Sequence, residues 1–365
     1  MHTGADVLRD PRRRAGLVAG LAACDRLVLL GDLLELRHGP LHEALAAARE
    51  PLSEIGSALG PGGEVVILAG NHDHHLVGPW TWRRALDGPP RPLGLETAVD
   101  WTVGEPLAAV SAMLAPARVR ASYPGVWLRS DIWATHGHYL DPHMTVPTIE
   151  RLGTGLMRRV VGSPATGPAG AEDYEAVLAP LYDWLQAVAQ GAAPGRGSGL
   201  QGGSVRGWRA LAGSGGSGGS APPGPGRRSV RDFIRRAVRR RAIGATWPLL
   251  VGALNRAGLG PLRREVSGPA LRRSGLRAME EVTARLGASA GYVIFGHTHR
   301  AGPLPADDPA EWRTRAGAQL INSGSWVYEP AFLGNDPAAS PYRAGFAVAI
   351  DGDEPPRLIN LLDPA

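Results

Sequence analysis

RLVLLGDLLE (residues 26–35) is the stretch on which the fold turns. An almost unbroken apolar run of five residues stops at Gly31-Asp32, too short for a helix and bounded by turn residues. Such a run is read as a strand buried on both faces. The same cadence returns in EVVILAGNHD (64–73), SDIWATHGH (130–138) and GYVIFGHTH (291–299). Between the first two, LHEALAAAREPLSEIGSAL (41–59) has helical spacing. Strand, helix and strand in that order predict an α/β fold with largely buried strands. Further on, AQLINSGSWV (318–327), AGFAVAI (344–350) and PRLINLL (356–362) are strand-like and closely spaced, and are expected to form a second, more antiparallel sheet.

The middle of the chain has a different composition. Residues 191–226 are rich in Gly, Ser and Pro and too poor in apolar residues to offset their own ordering entropy, as a flexible linker is. In the Arg-rich stretch that follows, Val230, Phe233, Ile234 and Ala237 share one helical face, and Arg231, Arg235 and Arg239 lie on the rest. The expected organisation is therefore a core in two parts, 1–145 and 291–365, around a mostly helical insertion at 146–290 that contains the linker.

Composition narrows the class. The 365 residues carry a formal charge of +5, and every basic residue is arginine. A GC-rich coding bias explains that in part. Arginine's planar set of donors also suits phosphate-bearing partners. Cys24 is the only cysteine, so an intramolecular disulfide is excluded and a reducing, cytoplasmic setting is expected. No apolar run reaches the roughly 18 residues of a membrane span.

Each strand-like run ends in residues that can hold a metal. The first gives Asp32 and Glu35, the second Asn71, His72 and Asp73. The third gives His136 and His138, with Asp141 just beyond, and the last gives His297 and His299. Open α/β sheets place their sites at such strand ends. One histidine beside a glycine is usually a loop residue, and a strand-end aspartate is often a helix cap. Four such clusters, each directly after a strand, point to a metal site. Its mixed oxygen and nitrogen donors suit Mn, Fe, Zn or Co better than Mg or Ca.

In this order the motifs GD-x-x-E, GNHD, H-G and GH-x-H resemble the calcineurin-like metallophosphoesterase family. The likeness covers about 200 residues at the two ends of the chain. It implies a β-sandwich flanked by helices in four layers (αββα), with two divalent ions at the sheet ends, Mn being the expected choice in vitro. It implies that Asp32 bridges the ions, that Asn71, His136 and His297 complete one shell, and that His299 serves the other. By the same likeness His72 faces the substrate as a catalytic residue oriented by Asp73, while His138 and Glu35 are candidates for substrate binding.

One family motif, D-x-H, is incomplete. MHTG (1–4) matches x-H-x-G with Met1 at x, so His2 aligns as a metal ligand and the aspartate would precede Met1. The expectation is a start that lies inside the reading frame.

The activity implied is hydrolysis of a phosphomonoester, phosphodiester or pyrophosphate. The alternative is a catalytically impaired member that acts as a binding or scaffold protein, for which the missing aspartate is the motive. GDLLE and a basic helical insertion also resemble the bacterial UDP-diacylglucosamine pyrophosphatases. Those enzymes tend to carry Arg where His72 stands, and the insertion here is longer. The substrate expected is a phosphorylated small molecule or lipid headgroup. The Arg-rich insertion could meet an anionic membrane surface, making the protein membrane-peripheral. Nucleic acid is less favoured, because aromatic residues are not interleaved with the arginines.

Overall fold

The computed structural model describes residues 6–363 except 38, 87–91, 162–167, 191–248, 264, 266, 329 and 335. His2, the linker at 191–226 and the Arg-rich stretch up to 248 lie outside the described residues.

Strands β1 (Arg26–Leu30) and β2 (Glu64–Leu68) pair in parallel, with Val28 opposite Val66. A parallel pair needs a crossover, and the helix α2 (Leu41–Leu59) supplies it. Strand β4 (Arg118–Tyr123) extends the sheet in parallel to β2, and β3 (Thr97–Val99) closes it antiparallel, in the order β1-β2-β4-β3. A second sheet runs β5 (Gly125–Arg129), β6 (Ile132–Thr135), β7 (Tyr292–Phe295) and β8 (Gln319–Asn322). Strand β8 is parallel to β7, so the antiparallel C-terminal sheet expected from the sequence is confined to β9 (Phe346–Ala349) and β10 (Arg357–Asn360). The 23 residues between Phe295 and Gln319 leave room for a crossover, which a hairpin would not need.

Side chains alternate across these strands with period two, and the alternation sorts them into layers. Val28, Leu30, Val66 and Leu68 of the first sheet meet Val126, Ile132, Ala134, Ile294 and Ile321 of the second in one apolar cluster. The neighbours Leu27, Leu29, Val65 and Ile67 face the other way, towards α1 (Pro11–Leu21), α2 and α4 (Pro106–Met113). Trp133, Val293, Phe295 and Leu320 leave the second sheet on its far side and meet the helix Gly268–Leu286. A slip of one residue in any pairing would exchange the two faces, so the apolar pattern fixes the register. Each large side chain buried this way contributes about 1.5–3 kcal/mol.

Inside the region expected as an insertion, α5 (Ile149–Val161) and α6 (Ala171–Gln190) are helical. Tyr174, Leu178 and Tyr182 of α6 share the apolar cluster of Trp133 and Phe295, as do Leu276 and Met279 of the helix Gly268–Leu286. Both helices therefore belong to the packing of the second sheet. Among the described residues no helix is long and apolar enough to cross a membrane.

Candidate metal centre

The parallel strands β1, β2, β6 and β7 deliver the turns that carry the expected residues. Asp32, His297 and His299 all have left-handed backbone (φ 55°, 64° and 60°), and among the described residues they are the non-glycine residues that do so. An L residue held there costs of order 1–3 kcal/mol, and such strain gathers at functional sites. Gly31 also has positive φ, and a Cβ on it would fall within the His136 ring. The Asp32 turn and His136 can approach only because that position is glycine.

Four donor atoms converge there. One ligand atom from each of Asp32, His136 and His297 lies within 4.8 Å of the others. Asn71 Oδ1 stands 3.0 Å from His297 Nδ1 and 3.2 Å from His136 Nε2, and Asp32 Oδ2 is 3.3 Å from the same Nε2. The far nitrogen of each ring is already engaged. His136 Nδ1–H donates to the Leu30 carbonyl at 2.8 Å, and His297 Nε2–H donates to Asp141 Oδ1 at 2.8 Å. These bonds fix both tautomers, so His136 Nε2 and His297 Nδ1 turn lone pairs towards the Asn71 oxygen and the Asp32 carboxylate. Metal-bound histidines are oriented in this way, by a carbonyl or carboxylate on the second nitrogen.

Four acceptors facing one another need a positive charge between them. Without a metal, a proton on His136 serves. Burial works against that proton, but the Asp32 carboxylate, with the Leu30 carbonyl and Asp73, outweighs burial, and the His136 pKa rises to about 9. Asp32 is correspondingly held well below the usual carboxylate range, because the His136 and His72 charges overcome its burial. The donor set thus fits a divalent ion of the kind that takes mixed oxygen and nitrogen ligands. His299 lies outside this group. Burial, with the neighbouring histidines, pushes its pKa down to about 4, which leaves its ring neutral near pH 7.

His72 is held from both sides. Glu35 Oε2 lies 2.6 Å from His72 Nδ1, and Arg37 Nη1 lies 3.3 Å from Nε2. Glu35 is therefore the residue on the His72 ring, which corrects the orienting role expected of Asp73. The Asp73 carboxylate is taken up by backbone, accepting N–H from Gly70 (2.7 Å), Asp32 (3.1 Å) and Leu34 (3.2 Å). It ties the turn after β1 to the turn after β2, and the His72 N–H completes the tie by donating to Asp32 Oδ1 at 2.9 Å.

His138, expected at the substrate, is 1% exposed. Its ring packs on His136 with centroids 5.6 Å apart, and its Nε2 is 3.1 Å from the Tyr123 hydroxyl. It lines the buried side of the centre.

Two contributors went unread in the sequence. Arg37 stands two positions after Glu35 in the same turn, a spacing that could have marked it. Glu175, which accepts the Tyr123 and Tyr139 hydroxyls and lies 2.9 Å from His74 Nε2 behind the centre, sits in the middle of an ordinary helical pattern in α6 and carried no local signal. Comparison with protein-family models, with curated proteins and with solved structures found no match to this chain.

Proposed function

We propose that this chain is a metal-dependent phosphoesterase, hydrolysing a phosphomonoester, phosphodiester or pyrophosphate with two divalent ions. The reading takes the two facing sheets and their outer helices as the four-layer arrangement of the calcineurin-like metallophosphoesterases. The observation that carries it is the convergence of Asp32, Asn71, His136 and His297, from four strand ends, beside the His72–Glu35 pair.

Asp32, Asn71, His136 and His297 would hold one ion. Asp32 and His299 would serve the other, with His2. Bound there, divalent ions acidify water and neutralise phosphoryl charge. The chain's own groups do the rest. Against burial, Glu35 and Asp32 raise the His72 pKa and favour the imidazolium; with Nδ1–H held by Glu35, its Nε2–H gives the proton to the leaving oxygen or hydrogen-bonds a phosphoryl oxygen. Arg37 supplies N–H donors beside that nitrogen, where phosphoryl charge accumulates. Asp73 keeps the Asp32 and His72 turns in register.

The substrate in this reading is a phosphorylated small molecule or a lipid headgroup, reached in the cytoplasm. The single cysteine, Cys24, is in keeping with a reducing compartment.

The test is Mn²⁺-dependent hydrolysis of a chromogenic phosphodiester and phosphomonoester, run with Mn²⁺ calorimetry. His72→Ala is expected to abolish turnover while Mn²⁺ still binds, and Asp32→Asn is expected to lose Mn²⁺. Turnover retained by His72→Ala would remove the role given to His72. A wild-type protein that binds no Mn²⁺ would remove the centre itself.

A further inference from the structure

Behind the metal centre lies a second polar cluster, built around a carboxylate from α6. Glu175 Oε1 accepts the hydroxyl protons of Tyr123 and Tyr139, each at 2.6 Å, and Oε2 lies 2.9 Å from His74 Nε2. The His74 and Glu175 side chains are 3% and 11% exposed. Burial alone would raise the Glu175 pKa, yet His74 and the two hydroxyls hold it below the usual value. The carboxylate is therefore ionised, and charge-assisted hydrogen bonds to an ionised group are the strong ones.

Its partners sit on the segments that carry the metal donors. His74 is three residues beyond Asn71. Tyr139 belongs to the single 3-10 turn His138–His143, which begins two residues after His136 and includes Asp141. Asp141 orients His297 at 2.8 Å. Tyr123, at the end of β4, also contacts His138, whose ring packs on His136. One carboxylate on α6 thus reaches the settings of three of the four donors, Asn71, His136 and His297. Tyr174, one residue before Glu175, stacks on Tyr139 (centroids 4.5 Å, planes 6° apart) and fixes the helix where the carboxylate can do so.

We propose that Glu175 is a positioning residue of the metal centre, bracing the turns that bear Asn71, His136 and His297 so that α6 sets the geometry for metal binding. This rests on reading those donors as a metal centre. Outer partners of metal ligands matter by about 10- to 100-fold in affinity, and Glu175 acts on three donors at once.

The experiment compares Mn²⁺ affinity of the full chain by calorimetry, together with thermal stability, for wild type, Glu175→Ala, Glu175→Gln and Leu178→Ala. Leu178 is a buried residue of the same helix, and its variant loosens α6 while removing no group that hydrogen-bonds Glu175. Glu175→Ala should weaken Mn²⁺ binding at least about tenfold more than Leu178→Ala does. Glu175→Gln should fall between, because its amide oxygen still accepts both tyrosine hydroxyls. If Glu175→Ala does not fold, Glu175→Gln and Tyr139→Phe against Leu178→Ala make the same comparison. Mn²⁺ affinity equal to wild type, or a loss matched by Leu178→Ala, overturns the proposal while leaving the metal centre standing. No Mn²⁺ binding by the wild type overturns both.

Discussion

Glu35 and His72 are 37 residues apart in the chain, yet Glu35 Oε2 and His72 Nδ1 meet at 2.6 Å. Asp73, the immediate neighbour of His72, turns its carboxylate to three backbone N–H groups instead. The division follows from chain direction. Asp73 is completely buried, where free N–H groups of the two tight turns need an acceptor. Glu35 and His72 are partly open, with side chains 17% and 24% exposed, which suits the substrate-facing role proposed for them.

Glu35→Gln keeps the shape of that contact and removes its charge. Because a hydrogen bond to a charged group is worth about 1.5–3 kcal/mol, kcat should fall about 10- to 100-fold. Mn²⁺ affinity should stay close to wild type, since Glu35 is not one of the converging donors. Steady-state kinetics and calorimetry check both halves, and an unchanged kcat would detach Glu35 from the chemistry.

Gly70 lies directly against the converging donors. A Cβ built there meets the Asp32 carboxylate, the Asp32 backbone N at 2.7 Å and His136 Nε2 at 2.8 Å, so Gly70→Ala fills the space the donors share and presses on the turn after β1. Its backbone is not left-handed, so alanine adds no dihedral strain. Mn²⁺ affinity is expected to drop at least about tenfold, the scale of a disturbed ligand sphere. Thermal stability without metal should change by less than for a substitution at Gly31, whose φ is +85°. Full Mn²⁺ affinity in Gly70→Ala would mean that the ion sits elsewhere.

Much of this was legible in the sequence. Short apolar runs ending in Gly-Asp, Gly-Asn-His, His-Gly and Gly-His marked β1, β2, β6 and β7, and the residues at their ends are the ones that converge. The continuous apolar run works as the signal here because β2, β6 and β7 are buried on both faces, so each apolar residue has a definite layer to fill. Partner choice was not legible. Whether Glu35 or Asp73 takes the His72 ring depends on where two turns meet in space, and nothing local encodes that. The direction of β8 was misread for a related reason, since strand-like composition is the same in parallel and antiparallel pairs. Glu175 was invisible because a buried carboxylate in a helix looks like a solvated one until its tyrosine partners, 52 and 36 residues away, are brought to it.

Asp307 gives stability a dependence on pH away from the centre. Its side chain is 4% exposed and is shared by Arg300 (2.5 Å) and Arg272 (3.2 Å), with the Leu304 N–H at 2.9 Å. Burial pushes its pKa up, but the Arg300 contact and the Leu304 N–H more than offset that and hold the carboxyl below its ordinary range. A depressed carboxylate stabilises the fold fully above its unfolded pKa and loses that contribution as pH falls through the folded value. Asp307→Asn should therefore cost about 2 kcal/mol near pH 7. It should cost progressively less below about pH 4, where the wild type loses the same contribution. Urea unfolding at pH 7 and pH 3 reads the difference, and an equal cost at both would assign the effect to packing.

Arg14 carries the last prediction, which concerns the opposite face of the first sheet. Its side chain is fully buried in α1, yet it is charged. Nε and Nη2 grip Glu54 of α2 at 2.5 and 2.6 Å, Nη2 also reaches Glu50 at 2.7 Å, and Nη1 donates to the Leu8 carbonyl at 2.6 Å. Glu50 and Glu54 remain exposed, so they can return to water if the arginine is lost. What cannot be recovered is the packed stem and the Leu8 carbonyl's donor. Arg14→Ala should cost about 2 kcal/mol, the scale of an acceptor left unpaired together with a lost packed stem. Arg14→Met, which restores most of the volume, should cost less than half of that, as apolar replacements of buried ions often do. Neither should alter Mn²⁺ affinity, because α1 and α2 pack on the side of β1 away from the second sheet. Thermal melts with parallel calorimetry test this, and an alanine variant as stable as wild type would reduce the Arg14 cluster to a surface ornament of the helix pair.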